Sequence, residues 1–351
     1  VKAQKFCGKV HKLRKIFVLN AYFLCCVYTR LSRSFETQTT SFLFFFSLST
    51  MIHLYSRILP ILTAVLVCAL VFTHEITAQT STSLNSKPKG HLVIIGGGPR
   101  PEAIMKRIVA LAGGEKSNIV VIPMASSEPV ETALAQMEQL KKFGAAKVNY
   151  LVCTKETADQ DSNIAKLRAA TGIFFSGGDQ TRLTAALLGT KLLGEVHGVY
   201  QRGGVLSGTS AGAAVQSKIM LTGDEVLNKD TNNPYGVVQK GNIATAEGFG
   251  FLNTAIIDQH FVKRKRQNRL LTLVLEQPQL LGIGIDEATC IIVKPNNTCE
   301  VLGDATVQVF DARSAKLIKT DAAGNLSAQN IRIDIVPSGG TFALPNIGSK
   351  K

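Results

Sequence analysis

From residue 91 onward, short unbroken apolar runs alternate with amphipathic stretches, and this alternation constrains the fold more than any other feature of the chain. Apolar runs fall at 92–95, 119–122, 148–152, 172–175 and again from Val205. Between them, 101–112, 130–143, 164–170, 181–188 and 192–200 read as helices, with Pro101 suited to a first helical turn. A strand that is apolar at successive positions is buried on both faces, and the intervening helices supply the cover. The expected fold is therefore α/β, with a mostly parallel, doubly wound sheet. Beyond about residue 280 the pattern turns strand-rich, with runs at 283–286, 290–293, 307–311 and 331–336. These read as a C-terminal extension of the same sheet. No internal repeat is visible.

In an open parallel sheet, ligands bind outside the carboxyl ends of the strands. Three glycine-rich turns fall at such ends: Gly96-Gly97-Gly98, Gly177-Gly178-Asp179-Gln180 and Gly208-Thr209-Ser210-Ala211-Gly212. The last follows the apolar Val205-Leu206 and precedes a helix start at Ala211, the strand–turn–helix context of a nucleophile elbow. Its glycines keep side chains away from Ser210, and the N–H of Ala211 points where an oxyanion would form. Gly96-Gly97-Gly98 lacks the spacing of a dinucleotide fingerprint, because Pro99-Arg100-Pro101 follows it. A second oxyanion donor, from Gly97 or Gly98, is the better use for it.

A serine nucleophile needs a base. Downstream of the signal-like segment described below, the histidines are His91, His197 and His260. His91 opens a strand and reads as structural; His197 lies in a helical stretch and reads as a surface or half-buried residue. His260 ends the apolar run 256–257 and is the favoured base. Asp286 and Glu287 end another strand, and neighbours on a strand face opposite ways, so only one of them is expected to face His260. The run Lys263-Arg264-Lys265-Arg266-Gln267-Asn268-Arg269 reads either as a solvated basic patch or as a carboxylate clamp in fork geometry. Arg264, Arg266 and Arg269 do not share one face of an ideal helix. For all three to reach the crevice, the run must begin as loop and become helix later.

Charge and cysteine content narrow the alternatives. The chain holds 39 basic and 25 acidic residues; the first 78 contribute nine and two, which leaves 30 against 23. Met51 to Ala78 has the basic, apolar and small-residue zones of a secretory signal. Its apolar stretch, 58–72, is short for a membrane span of roughly 20 residues. Four segments are expected: 1–50 as upstream sequence outside the mature protein, 51–78 as signal peptide, 79–90 as linker and 91–351 as a single peptidase domain. Export to a secreted or periplasmic location follows, with an N-terminal membrane anchor as the alternative. No stable membrane association is expected once the signal is cleaved. The remaining excess of seven positive charges gives no reason to expect nucleic-acid binding. Cys153, Cys290 and Cys299 show no C-x-x-C spacing and suggest no zinc site; a Cys290–Cys299 bridge is left open. No cofactor or metal is expected, and a homodimer is admitted.

Taken together, Gly177-Gly178-Asp179-Gln180, Gly208–Gly212, Asp258-Gln259-His260-Phe261 with Arg264, Arg266 and Arg269, and Gly284-Ile285-Asp286-Glu287 resemble cyanophycinases. These are serine peptidases related to aspartyl dipeptidase, on a fold like the class I glutamine amidotransferases. The resemblance spans about residues 90–345, with the four motifs in order. It implies a Ser210–His260–Glu287 triad and substrate contacts from Gln180, Asp258, Gln259 and the arginine trio. It implies a cyanophycin-like poly(Asp-Arg) substrate, cut to β-Asp-Arg dipeptides. Pro99 and Arg100 stand where many members carry an acidic residue, so the outer pocket is where this chain departs. Two competing readings remain. One is an α/β-hydrolase-type esterase using Asp230 or Glu247, although that class has the order Ser, acid, His. The other is a non-enzymatic module whose arginines capture acidic ligands.

Overall fold

The computed structural model describes residues 87–228 and 233–345. The segments expected as upstream extension and signal, and Asp230, lie outside the described residues. The elements run β1 (His91–Ile95), α1 (Glu102–Leu111), β2 (Asn118–Ile122), α2 (Pro129–Lys142), β3 (Lys147–Tyr150), α3 (Asp161–Arg168), β4 (Gly172–Phe175), α4 (Gln180–Leu187), α5 (Lys191–Gln201), β5 (Val205–Thr209) and the short α6 (Ala211–Ala214). Then come β6 (Ile219–Glu225), β7 (Ile243–Glu247), β8 (Ala255–Gln259), α7 (Gln267–Glu276), β9 (Leu281–Ile285), β10 (Thr289–Val293), β11 (Thr298–Gly303), β12 (Val307–Asp311), β13 (Lys316–Thr320), β14 (Leu326–Gln329), β15 (Arg332–Val336) and β16 (Thr341–Ala343).

The central sheet has the order β16-β11-β10-β1-β5-β4-β2-β3. The five strands from β1 to β3 are parallel, while β10, β11 and β16 add to the β1 edge in antiparallel pairing. This is the α/β, mostly parallel architecture of class I glutamine amidotransferases. In β1, Leu92 and Ile94 join one core while Val93 and Ile95 join the core on the opposite face. Burial on both faces is why the strand reads as a continuous apolar run. Each such fully buried side chain contributes about 1.5–3 kcal/mol.

The strand-rich C-terminal part corrects the expectation of a single extended sheet. Only β10, β11 and β16 extend it. β9, β12 and β15 join β8 in a second sheet of order β15-β12-β9-β8. One face of that sheet, through Ile257, Ile283 and Ile285, packs into the core of the central sheet. The other, through Ile256 and Phe310, packs with Leu270, Leu273 and Val274 of α7. Both faces are again apolar, so sequence alternation cannot say to which sheet such a strand belongs. Two antiparallel pairs, β6–β7 and β13–β14, complete the described residues and were not legible as strands.

Cys290 and Cys299 are free and buried. They lie on neighbouring strands, but Cys290 faces one core and Cys299 the other. Thiols on opposite faces of a sheet cannot bridge. Among the described residues, no helix is long and apolar enough to cross a membrane.

Candidate active site

Two parallel strand pairs deliver the site. In the central sheet, Ile95 stands beside Thr209, so the ends of β1 and β5 are neighbours. In the second sheet, Gln259 stands beside Ile285, so His260 and the Asp286-Glu287 turn emerge together. Ser210 follows β5 with φ 53° and ψ −110°. A non-glycine residue in that region costs of the order of 1–3 kcal/mol and must be held there by its surroundings. The elbow's glycines make that possible. A side chain on Gly208 would overlap the Gly212 carbonyl, and one on Gly212 would overlap the Phe175 carbonyl.

Ser210 Oγ lies 2.8 Å from His260 Nε2, and His260 Nδ1 lies 2.6 Å from Glu287 Oε1. A carboxylate on Nδ1 fixes the tautomer in which Nδ1 carries the proton and Nε2 can accept one from the serine. Asp286, the other carboxylate of the pair, turns away and accepts from the Lys263 N–H at 3.0 Å. Burial lowers the proton affinity of His260; the Glu287 bond pulls it back up, and Arg264 and Arg266 push it down, with a lowered pKa as the result. Glu287 is held below the usual carboxylate range, first by its bond to His260.

The loop after β1 joins the two halves. Ile95 O accepts from Ser210 N at 3.1 Å, Gly96 O from His260 N at 2.7 Å, and Gly97 O from Ala288 N at 2.9 Å. One tripeptide thus fixes the backbone of, or next to, each member of the Ser–His–Glu chain. Sequence reasoning assigned Gly97 and Gly98 only as oxyanion donors and missed this bracing, for which a glycine run carries no separate signal. The glycines are needed for clearance too: a methyl group on Gly97 would lie 2.5 Å from His260 Nε2, and one on Gly98 would lie 2.9 Å from Glu287 Oε2. Among the described residues, no hydrogen bond uses the N–H of Gly97, Gly98 or Ala211.

The expected substrate residues divide. Arg264 is exposed, while Arg266 and Arg269 are buried. The basic run does begin as loop and become helix, since α7 starts at Gln267, just after Arg266. Arg266 donates through Nη1 to Gln259 O at 2.6 Å and Gln259 Oε1 at 2.8 Å. Its Nε is buried without a partner among the described residues. Asp258 and Arg269 correct the expectation that both contact substrate. Arg269 binds Asp258 in a two-pronged pair, through Nε at 2.8 Å and through Nη2. At 0% and 1% exposure, neither presents a surface to a ligand. Gln180 is likewise partly committed, since its Nε2 donates to Leu221 O at 2.8 Å and Thr222 O at 2.6 Å. Only its Oε1 remains to be offered.

Several alternatives are not assembled. Glu247 is exposed at the end of β7, and His260 Nδ1 is already taken by Glu287. His197 bonds the Phe249 carbonyl at 3.0 Å and packs on Phe251, a structural role. Arg100 donates to Gln139 of α2 at 2.9 Å. Among the described residues, no group of three or more His, Cys, Asp or Glu is placed to hold a metal ion.

A strained serine at a strand–helix elbow, backed by histidine and glutamate on an amidotransferase-like sheet, is the arrangement of a serine-type hydrolase. Residues 92–301 match peptidase family S51, and the chain belongs to that family of serine-type, cyanophycinase-like peptidases. It is 34% identical over 275 residues to the cyanophycinase of Synechococcus elongatus, covering 75% of this chain and 82% of that protein. To the cyanophycinase of Trichormus variabilis it is 33% identical over 265 residues, covering 73% and 86%. Its fold matches the crystal structure of a peptidase from an acI-B1 Actinobacterium with a TM-score of 0.55 at 23% identity, over 74% of this chain and 98% of that one.

Proposed function

We propose that this protein is an exported exopeptidase that hydrolyses β-linked aspartyl peptides of the cyanophycin type and releases β-Asp-Arg dipeptides. Ser210 is the nucleophile, His260 the base and Glu287 its orienter. Ser210 Oγ attacks the scissile carbonyl while His260 Nε2 takes the hydroxyl proton. The N–H groups of Ala211 and the Gly97–Gly98 loop receive the oxyanion. His260 returns the proton to the leaving amine, and water then attacks the acyl-enzyme with His260 again as base. The observation that carries this reading is the continuous chain Ser210–His260–Glu287 at 2.8 and 2.6 Å. Similarity to cyanophycinases supports the substrate class.

The linkage preference is argued from Arg266. A β-aspartyl bond leaves a free α-carboxylate beside the scissile amide, and an ordinary α-linked peptide does not. Arg266, braced on Gln259 next to His260, is the guanidinium proposed to meet that carboxylate, and a site left unpaired by the wrong substrate discriminates strongly. In the same proposal, 91–351 is the peptidase domain, 79–90 a linker, and cleavage falls near Ala78–Gln79.

The test compares matched α- and β-aspartyl-arginine peptides, with products identified by mass spectrometry. The β-linked peptide is cleaved and the α-linked one is not. Ser210→Ala loses activity by several powers of ten without loss of folding. Arg266→Lys keeps the charge but not the planar fork, and impairs the β-linked reaction. Equal rates on both linkages remove Arg266 from the linkage preference. Ester hydrolysis that survives Glu287→Ala favours the esterase reading instead.

A further inference from the structure

The second sheet ends on a strand that no other element pairs with. β15 is its edge, joined on one side to β12 in unshifted antiparallel register. An open edge offers unpaired N–H and C=O groups to any strand that meets it, and folds commonly blunt such edges. The other edges of the two large sheets are blunted. β16 has only three residues. In β3, Lys166 Nζ donates to the Tyr150 carbonyl at 2.8 Å. β8 is flanked by β6 and α6. β15 has no such guard: among the described residues, no hydrogen bond from outside its own sheet reaches the backbone of residues 332–335.

The sequence of that edge complements itself. It reads Ile331-Arg332-Ile333-Asp334-Ile335. Turned antiparallel about Ile333, a second copy sets Ile331 against Ile335, Arg332 against Asp334 and Ile333 against Ile333. Alternate residues share a face, so the isoleucines meet on one side of the joint sheet and the charges on the other. Ile333 stands beside Phe310, on the face that packs with α7. Asp334 stands beside Val309, on the face toward the central sheet. Ile333 and Ile335 are 50% and 65% exposed, and pairing removes that apolar surface from water. Arg332 and Asp334 already bond to each other along the strand, through Nε at 3.1 and 3.0 Å. An exposed ion pair contributes little, so exchanging it for the same pair across a two-fold is close to neutral. The charges therefore set register, and the isoleucines supply the attraction.

We propose that β15 is the docking edge for a second copy of this chain, which pairs antiparallel about Ile333. The strand itself selects that occupant and that register. A slip of one position sets Ile333 against Asp334 and Arg332 against Ile335. A slip of two sets Asp334 against Asp334, and an in-register parallel pairing sets each charge against itself. Only the antiparallel arrangement centred on Ile333 matches every apolar residue with an apolar one and every charge with its opposite. The interface is isologous, the same patch on both subunits. Two four-stranded sheets then become one of eight strands, β8-β9-β12-β15-β15-β12-β9-β8. Because the two-fold stands perpendicular to the sheet, the two catalytic centres open toward its opposite ends.

The test is charge reversal on the purified protein, with mass read by sedimentation velocity over a concentration series and folding by circular dichroism. Wild type dimerises. Arg332→Asp sets carboxylate against carboxylate at both symmetric contacts, and Asp334→Arg sets guanidinium against guanidinium. Like charges directly opposite each other on paired strands are unfavourable, so each variant alone is expected to dimerise roughly tenfold more weakly, or worse. Mixed in equal amounts, the two variants pair again, because one chain then carries both negative charges and the other both positive ones. Neither variant can repair its own in-strand ion pair, so recovery in the mixture reports the contact between copies. A wild type that stays monomeric at every concentration overturns the proposal. So does a single variant that dimerises as wild type does, or a mixture no more dimeric than its parts. Where a reversal disturbs folding, Ile333→Lys takes its place: it sets lysine against lysine at the two-fold, and undiminished dimerisation overturns the proposal equally.

Discussion

At the scale of single residues, the state of His260 decides whether Ser210 can be activated. A base must be neutral to accept a proton. Burial disfavours the imidazolium, Glu287 favours it, and Arg264 and Arg266 disfavour it, so its pKa falls below the ordinary 6.5. The acid limb of kcat/KM is therefore expected to have its midpoint below pH 6.5. Arg264 is exposed and acts on His260 through charge alone, since its backbone N–H, not its side chain, bonds the His260 carbonyl. Replacing it by Gln removes a cation that opposes protonation. The His260 pKa then rises and the acid limb moves to higher pH. The check is the pH profile of Arg264→Gln, read at the limb midpoint and not at its height, because the same residue is proposed to meet substrate. A midpoint that stays put or moves down contradicts the electrostatic account.

At the scale of elements, the turn after β1 is the part on which both sheets depend. Ile95, the last residue of β1, receives Ser210 N from the central sheet, and Gly96, the first of the turn, receives His260 N from the second one. Gly97 sits there at φ 111°, with the His260 ring where a side chain would be. Gly97→Ala forces either the loop or the imidazole to move. A displacement of about 1 Å in a catalytic group costs roughly 10²-fold, and kcat/KM is expected to fall by about that factor. The protein should still fold, because the cores on either side of β1 are untouched. Steady-state kinetics with circular dichroism checks this; kcat/KM within tenfold of wild type would show that the loop does not brace the histidine. The remaining elements are set by cores the sequence announces. Asp179 caps α4 through the Thr181 N–H at 2.8 Å, for example, worth about 1 kcal/mol.

At the scale of the whole molecule, export is the open quantity. The zoned pattern from Met51 to Ala78 predicts that protein recovered from a secreting host begins within a few residues of Gln79. N-terminal sequencing checks this, and a mature chain that still begins upstream of Met51 refutes it. The cysteines are compatible with either destination. Cys153, Cys290 and Cys299 are free and buried, and burial raises the last two thiols to about 12. Thiols with so little thiolate are inert toward exchange.

The sequence by itself determined the alternation that makes a parallel sheet, the elbow at Ser210 and the strand ends that carry His260 and the Asp286-Glu287 pair. Each rests on local physics: apolar periodicity, glycine sterics or the placement of polar groups after a buried strand. Which carboxylate meets His260 was left open by the residues alone, because adjacent side chains on a strand differ only in the face they take. The tertiary structure turns Glu287 inward and Asp286 to the Lys263 N–H. It also decided that β8, β9, β12 and β15 form a sheet of their own, that Asp258 belongs to Arg269, and that Tyr235 stands beneath that pair. Such partnerships join residues far apart in the chain, 34 positions in the case of Tyr235 and Arg269. Nothing in the local pattern of either residue encodes the other, and only the packing of β8, α7 and the β6–β7 connection brings them together.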